Sequence, residues 1–303
     1  MVSLECSATS PPDTIPKKIP FLVAKDVKSK QPLPPIPMKA PLKLSTLALV
    51  ATISSSSAVN ILVSASDTSE IEAFLATNYT DANVTAAGNF SDFNAQATQD
   101  ALAGVDLVII GRSLSSTQYA SGRADGYNAL TIPVLNFTSY TARNAGNRMG
   151  WHAGGATSNK LVAGAETTIT VAGSALLGIP AGNYDFFDTN VGGDFNGLGT
   201  GTVGGGSILA TIGGDILSAY WATGQAPGDP TAAGVATFPA PRLLLNIDDD
   251  PRPAGEFTAQ TALGLQTTVG VIAQFGGLTV VPEPSAALLA FAGLGLLGRR
   301  RRS

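Results

Sequence analysis

The sequence predicts an α/β body: a parallel sheet flanked by helices, with an additional β-rich second half. Three observations predict it. Apolar runs and amphipathic stretches alternate from Val59 to about Gly150. The clearest run, Val105 to Gly111, is apolar enough for a strand buried on both faces, as parallel strands are. Beyond residue 165, strand-like runs succeed one another before a closing amphipathic segment.

The elements follow in order. Asn60 to Ser64 is a short apolar run, read as a buried strand. Ser66 to Glu70 supplies capping residues ahead of the periodic Ile71, Phe74 and Leu75, read as a helix. Ala82 to Ala87 is a weaker strand, Asp92 to Ala103 a helix, Thr117 to Leu130 another, and Ile132 to Phe137 the fourth strand. Four strands separated by three helical stretches imply a parallel sheet covered on both faces. Ligands of such sheets bind beyond the carboxyl ends of the strands, here Ser64–Ser66, Gly111–Ser113 and Thr138–Tyr140. In the second half, Thr167–Val171, Ser207–Ile212, Ile216–Thr223 and Arg242–Ile247 read as strands extending the sheet or forming a layer on it. Phe257 to Phe275 reads as a closing helix starting near Thr258, and Val191 to Gly206 as a flexible, Gly-rich surface loop.

Composition narrows the chemistry. Of 303 residues, 44% are hydrophobic and only 13% charged, about half the usual charged share. Between Val59 and Val281 stand seven basic and eighteen acidic residues, a formal charge of −11. A surface this acidic opposes phosphate backbones, so nucleic acid is not an expected partner. The single cysteine, Cys6, lies upstream of the expected body, which therefore has no disulfide and no thiolate nucleophile.

Both ends read as addresses. Residues 1–37, rich in Pro and Lys, read as a disordered leader, with translation expected to start at Met38. Lys39 and Lys43, the apolar run Leu44–Ile53 and the small residues Ser54–Ala58 have the order of a secretory signal, so 38–58 is the expected signal peptide, cut after Ala58. The domain proper is expected over 59–280. The tail, 281–303, opens with Val281, Pro282, Glu283, Pro284 and Ser285, continues through the apolar Ala286–Leu297, and ends in Arg299, Arg300, Arg301 and Arg302. That order places a recognition motif outside, a short transmembrane segment, and a positive stop inside. It resembles the PEP-CTERM sorting signal of bacteria. The resemblance implies an exported cell-surface or extracellular-matrix protein, with secretion machinery and an exosortase-type membrane protease as partners. A surface polysaccharide is a further expected partner.

The body resembles the class I glutamine amidotransferase-like fold, a flavodoxin-like arrangement, including its ThuA-like branch. The residues that carry this are Val105–Gly111, Ile132–Tyr140, Arg148-Met149-Gly150-Trp151 and Phe257-Thr258. In that family the turn after the fourth strand bears a catalytic cysteine flanked by glycines. Here it reads Leu135-Asn136-Phe137-Thr138-Ser139-Tyr140, with neither. No catalytic residue is carried over, and the body is expected to bind or to build rather than to catalyse. The alternative is an exported carbohydrate-acting hydrolase of ThuA-like type, which needs paired carboxylates in a cleft.

The candidate ligand edge comprises Ser139, Arg143, Arg148 and the lone histidine, His152. Ser139 would need His152 as its base to act as a nucleophile. The arginines could hold a carboxylate or a sugar hydroxyl, or brace their loop by pairing with acids. A crevice filled by Phe137, Tyr140 and Trp151 would mark an inert edge. One histidine excludes a zinc site of the usual kind, and no metal or cofactor is expected. Asp185, Asp188, Asn190, Asp194 and Asn196 lack EF-hand spacing, and Asp248, Asp249 and Asp250 read as a solvated turn. The sequons at Asn78, Asn83, Asn89 and Asn136 are expected to be fortuitous.

Overall fold

A computed structural model describes residues 57–111, 116–155, 159–160, 166–187, 194–195, 197–199, 201–247 and 260–282, all within the compact unit Ser54–Ser303. The β-branched and leucine-rich runs of the first half form strands β1 (Val59–Ser64), β2 (Ala82–Ala87), β3 (Leu107–Ile110) and β4 (Val134–Asn136). Between them lie helices α1 (Ser69–Asn78), α2 (Gln96–Leu102), a 3-10 turn (Ser116–Tyr119) and α3 (Gly122–Asn128). A short helix α4 (Ser139–Ala142) follows β4. The second half adds β5 (Asn159–Lys160), β6 (Thr167–Ile169), α5 (Val171–Leu177), β7 (Gly182–Tyr184), β8 (Asp194–Phe195), β9 (Ser207–Ile212), β10 (Asp215–Trp221), α6 (Pro230–Ala233), β11 (Arg242–Leu245) and α7 (Ala262–Gly276).

Nine strands make one sheet, in the order β2-β1-β3-β4-β11-β10-β9-β6-β7. The first five are mutually parallel; from β11 outward the pairs β11–β10, β10–β9, β9–β6 and β6–β7 are antiparallel. The second half thus extends the same sheet. Alternate residues of each strand feed two cores, as a period of two requires. Ile61 and Val63 face one with α1, α5 and α7; Leu62, Val108 and Ile110 face the other with α3 and residues of α2. The architecture is a mixed α/β sheet covered on both faces.

Several elements differ from the sequence expectation, each for a local reason. The helix expected over Asp92–Ala103 starts at Gln96, because the Asp92 carboxylate accepts the Asn94 N–H (2.8 Å) and holds a turn there. The helix expected over Thr117–Leu130 breaks at Ser121, whose φ of 55° is left-handed and whose N–H donates to Asn147 O (2.7 Å). The strand expected over Thr167–Val171 ends at Ile169. Thr170 then caps α5, its hydroxyl accepting the Gly173 N–H (2.9 Å), and Gly178 closes the helix at φ 72°. The closing helix begins at Ala262, capped by Thr261.

Gly192–Gly206 is not a free surface loop in its described part. Gly197, Leu198 and Gly199 are buried, and Leu198 pairs with Ile216 in an isolated bridge. A Cβ on Gly201 would stand 2.5 Å from His152 Cε1, so the missing side chain admits the imidazole.

Two internal ties join segments far apart in the chain. At the amino ends of β4 and β11, Arg242 is fully buried with no carboxylate against it among the described residues. Its two terminal nitrogens donate to the carbonyls of Tyr127, Asn128, Leu130, Ile132, Ala240 and Pro241 (2.7–3.5 Å). Burial pushes its pKa down to about 9, still cationic at neutral pH.

The second tie is Asp81. Its backbone carbonyl accepts the Val59 N–H (2.9 Å), and its carboxylate accepts from the N–H and hydroxyl of Thr279 (2.9 and 2.7 Å). Tyr79 pairs with Val280, and Val281 N–H donates to Asn78 O (2.8 Å). The first strand and the last described segment are therefore fastened at one corner.

Candidate functional site

In an open sheet of this kind the ligand crevice lies where neighbouring crossovers leave in opposite directions, here between the carboxyl ends of β1 and β3. Two tyrosines occupy that place. Tyr119 and Tyr127 are both 0% exposed. The Tyr119 hydroxyl donates to Ser64 O (2.9 Å) and lies 3.3 Å from Gly111 O, while the Tyr127 hydroxyl is 2.5 Å from Ser64 Oγ and accepts the Phe90 N–H (3.3 Å). Burial raises the Tyr127 pKa, with the Ser64 hydrogen bond opposing, so the phenol is neutral. Neither tyrosine was singled out by sequence reasoning. Both sit in a helical stretch and show no local mark of reaching a strand end.

The turn after β4 is relaxed rather than strained. Thr138, which caps α4, is extended (φ −130°, ψ 130°), and no residue from Asn136 to Tyr140 has positive φ. Asn136 organises it: its Oδ1 accepts the Thr138 N–H (3.1 Å) and the Thr141 hydroxyl (2.9 Å). Asn246, after β11, accepts the Ser139 N–H on its Oδ1 (2.8 Å), and Thr138 Oγ1 accepts the Tyr140 N–H (3.3 Å). A strained elbow aims such N–H groups at a developing oxyanion. Here they are already taken by neutral side-chain oxygens.

The four residues of the candidate edge are brought together along the chain, not into one catalytic set. Arg143 N–H donates to Ser139 O (3.2 Å), and His152 N–H to Ala142 O (3.1 Å), with Arg143 and His152 in a parallel bridge. Ser139 and His152 are both 0% exposed, and among the described residues no hydrogen bond joins Ser139 Oγ to His152 Nε2, so they form no dyad. His152 Nδ1 instead accepts the Gly154 N–H (2.9 Å), and the ring packs against Gly201. Burial lowers its pKa, partly opposed by the carbonyls of Gly154 and Gly199 and by Asp215.

The arginines do not pair with acids among the described residues. Arg148 donates from Nε and Nη2 to Ser116 Oγ (3.2 and 3.1 Å) and from Nη1 to Gly146 O (2.7 Å), tying its loop to the 3-10 turn. Burial lowers its pKa, and so, secondarily, does the charge of Arg143. Arg143 is part-exposed, lies over the Tyr140 ring (5.0 Å), and has a buried Nε without an acceptor among the described residues.

Phe137 and Trp151 do not share a crevice. Phe137 belongs to the α1/α7 core, and Trp151 to the opposite one, donating to Asn128 Oδ1 (2.7 Å) and packing on Trp221 and Phe238.

Of the tail, Val281 and Pro282 are described, both exposed. Glu283, Pro284, Ser285 and Arg299–Arg302 lie outside the described residues, as do 1–56, Ser113, Asp188, Asn190, Asn196, Asp248–Asp250 and Phe257–Thr258. Among the described residues no group of three or more His, Cys, Asp or Glu could hold a metal ion, and no helix is long and apolar enough to cross a membrane.

No protein-family model matches the chain, and no curated protein does. Among solved structures it is similar to a cytoplasmic protein from Salmonella typhimurium LT2, at 12% identity and a TM-score of 0.45, over 72% of this chain and 99% of that one. A likeness this distant assigns neither family nor activity.

Proposed function

We propose that the chain is an exported surface or matrix protein, delivered by its two end signals, whose α/β body binds rather than catalyses. One observation carries the delivery half of this reading. The expected signal-peptide cut and the start of the expected tail fall at the ends of the described hydrogen-bonded body. Strand β1 opens at Val59, immediately after the expected cut at Ala58, and among the described residues the last backbone bond to the body is made by Val281, the first residue of the expected sorting motif. Removal of residues 1–58 and of those after Val281 would leave every described tie at the Asp81 corner intact.

The binding half is supported by the strand ends. Tyrosine hydroxyls fill the switch point, amide oxygens occupy the turn N–H groups, and Ser139 has no base. The hydrolase alternative needs two facing carboxylates, whereas the side chains described above at these ends, those of Ser64, Tyr119, Tyr127, Thr138, Ser139 and Asn246, are hydroxyls and an amide.

The test is surface labelling of intact cells with a membrane-impermeant amine or protease probe. The full chain is expected to be labelled, and a chain lacking 38–58 to stay protected. Equal protection of both would refute export.

A further inference from the structure

We propose that Ser139 and Arg143 form a binding site for a small oxyanion, of the kind carried by an acidic sugar or an inorganic phosphate or sulfate. This deepens the binding reading and rests on it. Residues i and i+4 of a helical turn share one face, and the backbone bond from Arg143 N–H to Ser139 O fixes that spacing here.

Each of these two residues carries a buried donor, the Ser139 hydroxyl and the Arg143 Nε–H, and neither has an acceptor among the described residues. Buried donors are almost always satisfied, so a pair of orphans on one turn asks for a missing acceptor. The backbone N–H groups around them are already paired, which leaves side-chain donors and nothing that competes for the ligand.

Charge points the same way. The body carries eighteen acids and only seven basic residues, so an arginine placed at random would find a carboxylate. Arg143 and Arg148 instead occupy one loop, and the described partners of Arg148 are a hydroxyl and a carbonyl. The charge of Arg143 disfavours that of Arg148, and an oxyanion bound to Arg143 relieves that cost. Arg143 stacks on Tyr140, which pre-orients its planar fork, and its part-exposed outer edge gives the ligand an approach.

The experiment is a titration of the full chain followed through its arginine Nε–H resonances, ten in number, with the Arg143 signal assigned by its loss in Arg143→Lys. Separate arms use glucuronate, inorganic phosphate and sulfate. The expected result is a saturable shift of the Arg143 signal in at least one arm. It should be abolished in Arg143→Gln, weakened by roughly tenfold in Ser139→Ala, and unchanged in Arg123→Gln. A response to glucuronate alone identifies a carboxylate ligand, and a response to phosphate or sulfate alone a tetrahedral one; either supports the site. No saturable shift in any arm overturns the proposal, as does a shift that survives in Arg143→Gln. So does a long-lived water cross-peak at the Arg143 Nε–H that persists at saturating anion. All readouts come from wild-type protein first, so a variant that fails to fold does not decide the outcome. The titration is independent of whether either end signal is processed.

Discussion

Replacing Arg242 by methionine removes a cation that has no counter-ion among the described residues yet joins three segments: the end of α3, the stretch 130–132, and Ala240–Pro241. Of its six carbonyl acceptors, those of Tyr127 and Pro241 also accept backbone N–H groups, from Leu130 (3.3 Å) and Val134 (3.1 Å). The other four, on Asn128, Leu130, Ile132 and Ala240, are served by the guanidinium at 2.7–3.1 Å. At about 1 kcal/mol net for each buried hydrogen bond, their loss costs about 4 kcal/mol. Desolvation of the guanidinium, no longer required, returns part of this, and methionine refills most of the stem volume. The expected net loss is about 2–3 kcal/mol. For a body of this size that is a fall in Tm of roughly 5–10 °C. Thermal and urea unfolding of Arg242→Met against wild type measure it. An unchanged or raised midpoint, with an unchanged m-value, would show that the six contacts merely offset the burial of the charge, and would refute the reasoning.

Other perturbations test the remaining contacts. His152 has its folded pKa lowered by burial, so the unfolded chain takes up a proton first as pH falls below about 6.5. Stability is complete above that value and declines below it, by at most about 1.4 kcal/mol per pH unit, and His152→Gln should flatten that slope in pH-dependent unfolding. Gly201→Ala should destabilise by about 1–3 kcal/mol, since its Cβ would meet His152 Cε1 at 2.5 Å and Nε2 at 2.6 Å. The same change in a His152→Ala background should cost measurably less, and additive losses in that double-mutant cycle would contradict the packing of His152 against Gly201. Ending the chain after Val281 should leave the unfolding midpoint unchanged. Ending it after Gly277 removes the Thr279 and Val281 bonds to Asp81 and Asn78 and should cost about 2–4 kcal/mol, with faster amide exchange at Tyr79–Asp81.

Much of the fold was legible, because buried parallel strands and the helices between them leave unlike periodicities. Leu107–Ile110, buried at every position, is the plainest case. Ile71, Phe74 and Leu75 mark the buried face of α1 at the expected spacing. What failed was local and polar. The break at Ser121 comes from a hydrogen bond to Asn147, twenty-six residues away, which no window of sequence contains. Helix α5 hid because Val171–Leu177 is short and mostly small, although the hydroxyl of Thr170 and the glycine at 178 were the available signals.

The candidate site was legible only as a stretch of chain. Ser139, Arg143, Arg148 and His152 are linked by backbone bonds as neighbours along the chain would be. Their roles depend on partners from elsewhere: Asn246 on the Ser139 N–H, Ser116 on Arg148, and Gly201 against His152. Tyr119 and Tyr127 at the switch point were missed for the same reason. A helix face shows which residues are buried, not which strand end a hydroxyl reaches.

The central claim is that two processing events bracket the body fastened at Asp81. Intact-mass and terminal-peptide analysis of the protein recovered from its own cells tests it most directly. The predicted result is a mature chain whose first residue is Val59 and which lacks Arg299–Arg302. A chain that retains Leu44–Ile53 and the four terminal arginines would contradict it.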